Sequence, residues 1–178
     1  MIEILIDKYY PKHRKVRSIL LCHSNLVRDK SLLIPQNHPE LSANVHLLND
    51  GAMVHDIGIV FTNAPGIDCF GDAPYICHGI LGRKVLEENG LEHLSLFAER
   101  HTGAGLSLHE IKQQELPLPA RDMVPVSIEE QIVCFADKFF SKGADMEREK
   151  SLSQVRRELA RHGIEQVKRF DRWCEIFL

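Results

Sequence analysis

Apolar residues recur at helical spacing along most of the chain. In PKHRKVRSILLCHSNLVRDKSLLI, residues 11–34, Val16, Ile19, Leu20, His23 and Val27 recur at helical spacing, with Lys30 or Leu33 continuing the stripe. That is the spacing of one helix face. Pro11 stands where a first helical turn accepts proline, and Pro35 is expected to end the helix. SANVHLLNDGAMVHDIG predicts a second helix with Gly58 as its C-cap. Residues 59–74, IVFTNAPGIDCFGDAP, mix Gly, Pro and Asn without a period and read as a loop. YICHGILGRKVLEENG predicts a third helix that closes before Gly90, and LEHLSLFAERHTGAG a fourth that breaks at Gly103 and Gly105.

Two capping boxes follow, SLHE with Ser107 three residues before Glu110, and SIEE with Ser127 three before Glu130. The second opens the apolar run QIVCFADKFF, a fifth helix. Between the boxes, LPLPARDMVP is an irregular connection, and the tail from Ser151 onward predicts one or two amphipathic helices broken near Gly163. No strand pattern, repeat or linker stands out. The expected fold is all-α, a single-domain helical bundle over residues 1–178, with a core at about 12–141 and a C-terminal helical extension at about 151–176.

Composition narrows the class without naming a function. The 178 residues, 44% hydrophobic and 26% charged, can bury one sizeable core. A formal net charge of −3 creates no large basic field, and 7% aromatics without basic interleaving suggest no base-stacking surface, so no nucleic-acid partner is expected. The opening MIEILIDKYYPKHRK has no signal-peptide pattern, and no window is apolar enough to span a bilayer. Five cysteines without CxxC spacing speak against a disulfide framework and for a reducing cytoplasm. Ten histidines are the one excess, and histidine is the commonest metal ligand.

Five of the predicted helices carry a ligand-type residue where the pattern asks for an apolar one. His23 sits on the first stripe, His55 and Asp56 close the second helix, His78 begins the third, His101 ends the fourth, and Asp137 interrupts the fifth. A buried charge is costly unless it is paired or holds a metal, and bundle cores gather metal ligands from facing helices in this way. Each residue alone is more simply a hydrogen-bonded core group. His55 and Asp56 are neighbours about 100° apart on a helix, so both can face one ion only where the helix ends. Cys22 and Cys77 are expected in core packing, and His109 on a solvated helix face. His13, His38, His46, His93 and His162 are expected at the surface.

CHSNLVRDKSL, VHDIG and IVCFADKFF, in that order and on those helices, resemble the HD superfamily of metal-dependent phosphohydrolases. The stretch from ERHTGAG to LPLPARDMVPVSIEEQIVCFADK extends the likeness to a small HDIG-type subgroup. The resemblance covers about residues 10–175. It implies that His23, His55, Asp56 and Asp137 hold one divalent ion, and that His78 and His101 hold a second with Asp56 as the bridge. Imidazole and carboxylate together suit Fe, Mn, Zn, Co or Ni rather than Mg alone. Ile59 stands after HDIG, where many relatives carry a basic residue, and Lys138, Arg100 and Arg83 are the candidates to take that role. His101 is followed by Thr102 and no GYP signature is present, which argues against a cyclic dinucleotide phosphodiesterase.

The resemblance implies a phosphohydrolase acting on a nucleotide or another small phosphate ester. Asp56 would bridge the metals and help activate a water, with Lys138 or Arg100 neutralising phosphoryl charge. Dinucleoside polyphosphates of the diadenosine tetraphosphate type are an alternative substrate. A single-metal phosphatase, a di-iron oxygenase and a non-catalytic binding module with a degenerate site are the other readings. The expected partner is a small phosphorylated molecule, and the oligomeric state stays open.

Overall fold

The computed structural model describes the chain except residues 13 and 144, so His13 lies outside the described residues. The described residues form an all-α fold. Helices α1 (Ile2–Tyr9), α2 (Lys15–Asn37), α3 (Val45–Val54), α4 (His78–Glu88), α5 (Ser95–Arg100), α6 (Leu108–Gln113), α7 (Ile128–Asp137), α8 (Leu152–Ala160) and α9 (Ile164–Phe177) follow in order. Among the described residues, no helix is long and apolar enough to cross a membrane. One continuous core runs from Leu5 and Ile6 of α1, through Leu20, Val27, Leu48 and Phe135, to Phe170, Trp173 and Phe177 of α9.

Several boundaries differ from the sequence reading, each for a local reason. Helix α1 has too few residues to show a period, yet it buries Leu5 and Ile6 and delivers the fully buried Tyr10. Pro35 does not end α2. It lies within the last turn, which closes when the His38 N–H donates to Ile34 O at 2.8 Å. Helix α3 stops at Val54, well before Gly58. There the His55 Nδ1–H donates to Ala52 O at 2.6 Å, taking the carbonyl that would have accepted the next helical N–H.

Gly58 is therefore no C-cap. Its φ is −86°, and a Cβ there would run into His78 O of the adjoining helix. The loop at 59–74 holds a two-residue hairpin that the absence of a strand signal did not foresee. Asn63 pairs with Phe70 and Ala64 with Cys69, around an Asp68 at φ 61°. Two residues per strand are too short for an alternating pattern.

The capping serines behave as the spacing predicts. Ser107 and Glu110 form a full reciprocal box. Ser127 accepts from the Glu130 N–H, but the Glu130 carboxylate turns to the Val126 N–H and to Arg100. The tail forms two helices, broken at Gly163 with φ 125°. Where α4 crosses α5, side chains are missing on the contact side. A Cβ on Gly79 would lie 2.7 Å from Ala98 O, and one on Gly82 3.0 Å from Ala98 Cβ. This close approach brings the start of α4 against the end of α5.

Candidate metal centre

The ligand candidates gather at helix ends, where backbone groups are free to orient them. His78 is the first residue of α4, His101 follows α5, Asp137 ends α7, and His55 and Asp56 follow α3. Only His23 sits mid-helix. His55 keeps helical dihedrals (φ −54°, ψ −34°) just beyond α3, so it and Asp56 still diverge, and they meet at one site because the His55 ring folds back on Ala52 O. All six residues are buried.

Three histidines are set by one repeated device. The Nδ1–H of His55 donates to Ala52 O, that of His78 to Tyr75 O, and that of His101 to Ala98 O, at 2.6, 2.6 and 2.7 Å. Each acceptor is the carbonyl three residues earlier. A carbonyl only accepts, so Nδ1 carries a proton, and in the neutral ring Nε2 is left with a lone pair facing inward. Second partners of this kind orient the histidines of metal sites.

Asp56 divides the cluster. Its Oδ2 lies 3.3 Å from Nε2 of His23 and 3.3 Å from Nε2 of His55, and its Oδ1 lies 3.3 Å from Nε2 of His101 and 3.7 Å from that of His78. Asp137 Oδ1 approaches His23 Nε2 at 2.9 Å and His55 Nε2 at 3.5 Å. Two ligand sets result. In each, the ligand atoms lie within 4.8 Å of one another: His23, His55, Asp56 and Asp137 in the first, and Asp56, His78 and His101 in the second.

The donor set fits a divalent cation on three observations. His78 Nε2 and His101 Nε2 face each other at 2.9 Å, although their Nδ1 protons are already committed. Two facing lone pairs need a positive charge between or beside them. Both oxygens of the fully buried Asp56 lack a hydrogen-bond partner, as does His23 Nδ1. Lys142 Nζ stands 2.6 Å from Asp56 Oδ2, a charge contact without hydrogen-bond alignment. Mixed imidazole and carboxylate ligands suit first-row divalent ions.

The electrostatics separate the two sets. Burial lowers the pKa of His55, but the charge of Asp56 and bonds to Asp137 outweigh it and lift the imidazole to about 9. Burial, aided by the neighbouring His101, holds His78 down to about 3, and burial likewise lowers His101. Burial disfavours the Asp56 and Asp137 carboxylates. Lys142 and His55 nevertheless hold Asp56 well below the usual range, and Lys138 and Lys142 do the same for Asp137.

The other predicted residues fall on both sides of the site wall. Lys138 reaches it, with Nζ 2.7 Å from Asp137 Oδ2 and donating to His101 O at 3.0 Å. Arg100 does not, because it pairs with Glu130 at 2.9 Å, and Arg83 pairs with Glu87 and Glu99. Cys77 is buried, with Sγ 3.5 Å from Pro117 O, and Cys22 is half-buried. His46, His93 and His109 are exposed, and His38 is half-buried. His162, also exposed, lines the opening over the site. That opening is a cavity of 340 Å³ bordered by Tyr75, His78, His101, Lys138, Lys142 and Lys150 among others.

Two contributors were not foreseen. Lys142 lies one residue beyond the expected core, in FFSKG, where a lysine beside a glycine looks like a surface turn. Tyr10 accepts from the Val60 N–H at 3.3 Å and donates to Ile57 O at 2.7 Å, which pins the turn that follows the His–Asp pair. The tyrosine pair Tyr9 and Tyr10 ahead of Pro11 offers no pattern from which to infer this.

Comparison with known proteins changes the functional picture. The chain is 37% identical over 135 residues to the uncharacterized protein MJ0778 of Methanocaldococcus jannaschii, a match covering 69% of this chain and 72% of that one. It is 40% identical over 96 residues to a tRNA (cytidine(56)-2'-O)-methyltransferase of Picrophilus torridus, covering 53% of this chain and 24% of the relative. It is 26% identical over 160 residues to the protein of the same name from Thermoplasma volcanium, covering 89% and 43%. The chain thus spans less than half the length of either methyltransferase. No protein-family model matches it, and no solved structure does.

These relatives overturn three expectations. A phosphohydrolase was expected, but the relatives with a named activity are methyltransferases. A small phosphorylated molecule or nucleotide was the expected substrate, and theirs is tRNA. No nucleic-acid partner was expected, on the strength of a net charge of −3. Net charge averages over the whole surface, whereas three lysines border an opening above the His–Asp cluster.

Proposed function

The chain belongs to the family of the M. jannaschii protein, and within that family we propose that it acts on tRNA, as a metal-holding helical module of 2'-O-methylation. The observation that carries this reading is the pair of ligand sets sharing Asp56 beneath a lysine-bordered opening. The HD-type resemblance supports the metal, and the methyltransferase relatives support the RNA. One ion would be held by His23, His55, Asp56 and Asp137, and a second by Asp56, His78 and His101. A bound divalent ion supplies concentrated positive charge for the phosphate and ribose oxygens of RNA.

The chain's own residues do the rest. Ala52, Tyr75 and Ala98 carbonyls keep the histidine Nε2 atoms aimed inward. Lys138 keeps Asp137 ionised and anchors the end of α5 through His101 O. The lysines at the opening, Lys138, Lys142 and Lys150, would meet an anionic group of the RNA. In the longer relatives, the length outside the match has room for the methyl-donor site. Five cysteines, free in the structure, fit a reducing cytoplasm.

The test is a gel-shift titration of a tRNA transcript, with protein stripped by chelator and then reloaded with Mn2+. Asp56→Asn runs beside the wild type. Binding that appears on loading and is lost in the variant is expected. Metal-loaded protein that fails to bind tRNA would sink the reading. So would unchanged cytidine 2'-O-methylation when the metal ligands are removed from a full-length relative.

A further inference from the structure

Lys142 belongs to neither ligand set, yet its ammonium is 2.6 Å from Asp56 Oδ2, closer than either histidine that shares this oxygen. The charge therefore stands inside the first set. Its side chain is 15% exposed and borders the opening beside Tyr75 and Lys150. Lys138 differs, since it is anchored by both Asp137 and the His101 carbonyl. Lys142 sits in a bend outside any helix or strand, on a flexible four-carbon stem whose head can swing. A divalent ion and an ammonium cannot both hold Oδ2 at contact distance, because like charges this close repel strongly in a buried site.

We propose that Lys142 is a displaceable cation. An ion entering the first ligand set takes Asp56 Oδ2 from it, and the released ammonium turns into the opening and binds a phosphate group. The proposal rests on the metal reading above and adds a coupling to it. Metal loading raises affinity for phosphate, and by reciprocity phosphate raises affinity for metal. The phosphate can be free or part of an RNA backbone, since the ammonium sees the same oxygens in either.

The experiment uses chelator-stripped wild type, Lys142→Met and Lys142→Arg. Mn2+ is titrated by calorimetry, and the Mn2+-induced rise in Tm is read on the same samples. Inorganic phosphate and a tRNA transcript are each titrated before and after loading. Lys142→Met removes the competitor, so it should bind Mn2+ about tenfold more tightly, with a larger rise in Tm. It should also lose the gain in phosphate affinity on loading. Lys142→Arg keeps the charge and should stay within about threefold of wild type for Mn2+. If Lys142→Met folds only with Mn2+ present, that dependence supports the same competition. Equal or weaker Mn2+ affinity in Lys142→Met overturns the proposal and leaves the metal site standing, as does a phosphate affinity that still rises on loading. Failure of all three proteins to bind Mn2+ overturns both. Phosphate coupling without tRNA binding upholds Lys142 and overturns the RNA reading.

Discussion

Glu110 and Gln166 are as deeply buried as the His–Asp cluster, but their polar atoms are satisfied in the opposite way. Glu110 accepts from the Ser107 N–H, the Ser107 hydroxyl, Gln166 and Arg169 at 2.7–2.9 Å. Gln166 accepts from the Ala104 N–H and donates to Gly105 O, and Arg169 donates to the carbonyls of both residues. No fully buried side-chain atom of Glu110, Gln166 or Arg169 is without a partner, whereas Asp56 has two such atoms and His23 one. One cluster closes on itself and ties α9 to the turn after His101. The other turns electron pairs towards a shared point. Equal burial thus serves cohesion in one place and leaves acceptors without donors in the other. The difference lies in the count of donors against acceptors, not in depth.

The strongest way to break the comparison is Asp56→Asn. It removes the charge common to both ligand sets and keeps the shape. Losing a residue that merely orients a ligand costs about 10–100-fold in metal affinity, so a shared ligand should cost at least that upper figure. Calorimetry with Mn2+ checks this, and circular dichroism should show the helices intact. Unchanged metal content would reduce the centre to a structural cluster like the other.

The converse change is Arg169→Met. It strips the satisfied cluster of its cation and leaves Glu110 buried and charged. Breaking such a pair costs about 3 kcal/mol, read from the midpoint of urea unfolding, with Mn2+ affinity little altered. A variant that loses metal more than stability would mean that the tie exists for the site and not for the fold.

Acidity sharpens the contrast further. The raised pKa of His55, about 9, means the folded state holds a proton that the unfolded chain releases near 6.5. That stabilisation is complete below pH 6.5 and fades as pH rises to 9. Glu110, lowered to about 2 against burial by Arg169 and Ser107, works the other way. Its contribution is complete above about pH 4.5 and is lost as pH falls towards 2. Chelator-treated protein should therefore lose Tm between pH 6.5 and 9. Mn2+ must displace the His55 proton, so the Mn2+-induced rise in Tm should grow across the same interval. A rise independent of pH would show that His55 is no ligand.

Tyr10→Phe is the mildest probe. It leaves Ile57 O without its donor and should cost about 1 kcal/mol. A small drop in Mn2+ affinity, read on the same samples, would trace the pinned turn to the His–Asp pair.

The six ligand candidates were legible because each interrupts an apolar stripe, a contradiction visible in a single helix. Lys142, Gln166 and Arg169 were not legible. They sit on polar stretches where a charge needs no excuse, and their partners are 56–86 residues away in the chain, with Gln166 meeting Glu110 and Lys142 meeting Asp56. The helices were predictable from their period. Their ends were not, because α3 stops where a side chain takes a carbonyl, an event without periodicity. The reaction class was inferred from the likeness of the ligand motif. A ligand motif describes how cations are held and says little about what is brought to them.

The glycines between α4 and its neighbours set a limit on variation. A Cβ would meet backbone at Gly58 and Gly79, and Ala98 Cβ and the Gly58 backbone at Gly82, so the distance between His78 and His101 is set there with little help from side-chain volume. Core residues elsewhere can exchange one apolar shape for another. These three positions have no smaller alternative and no room for a larger one. In a library of random single substitutions scored for metal retention, they should be as intolerant as the histidines themselves, although none of the three contributes an atom to the ligand sets.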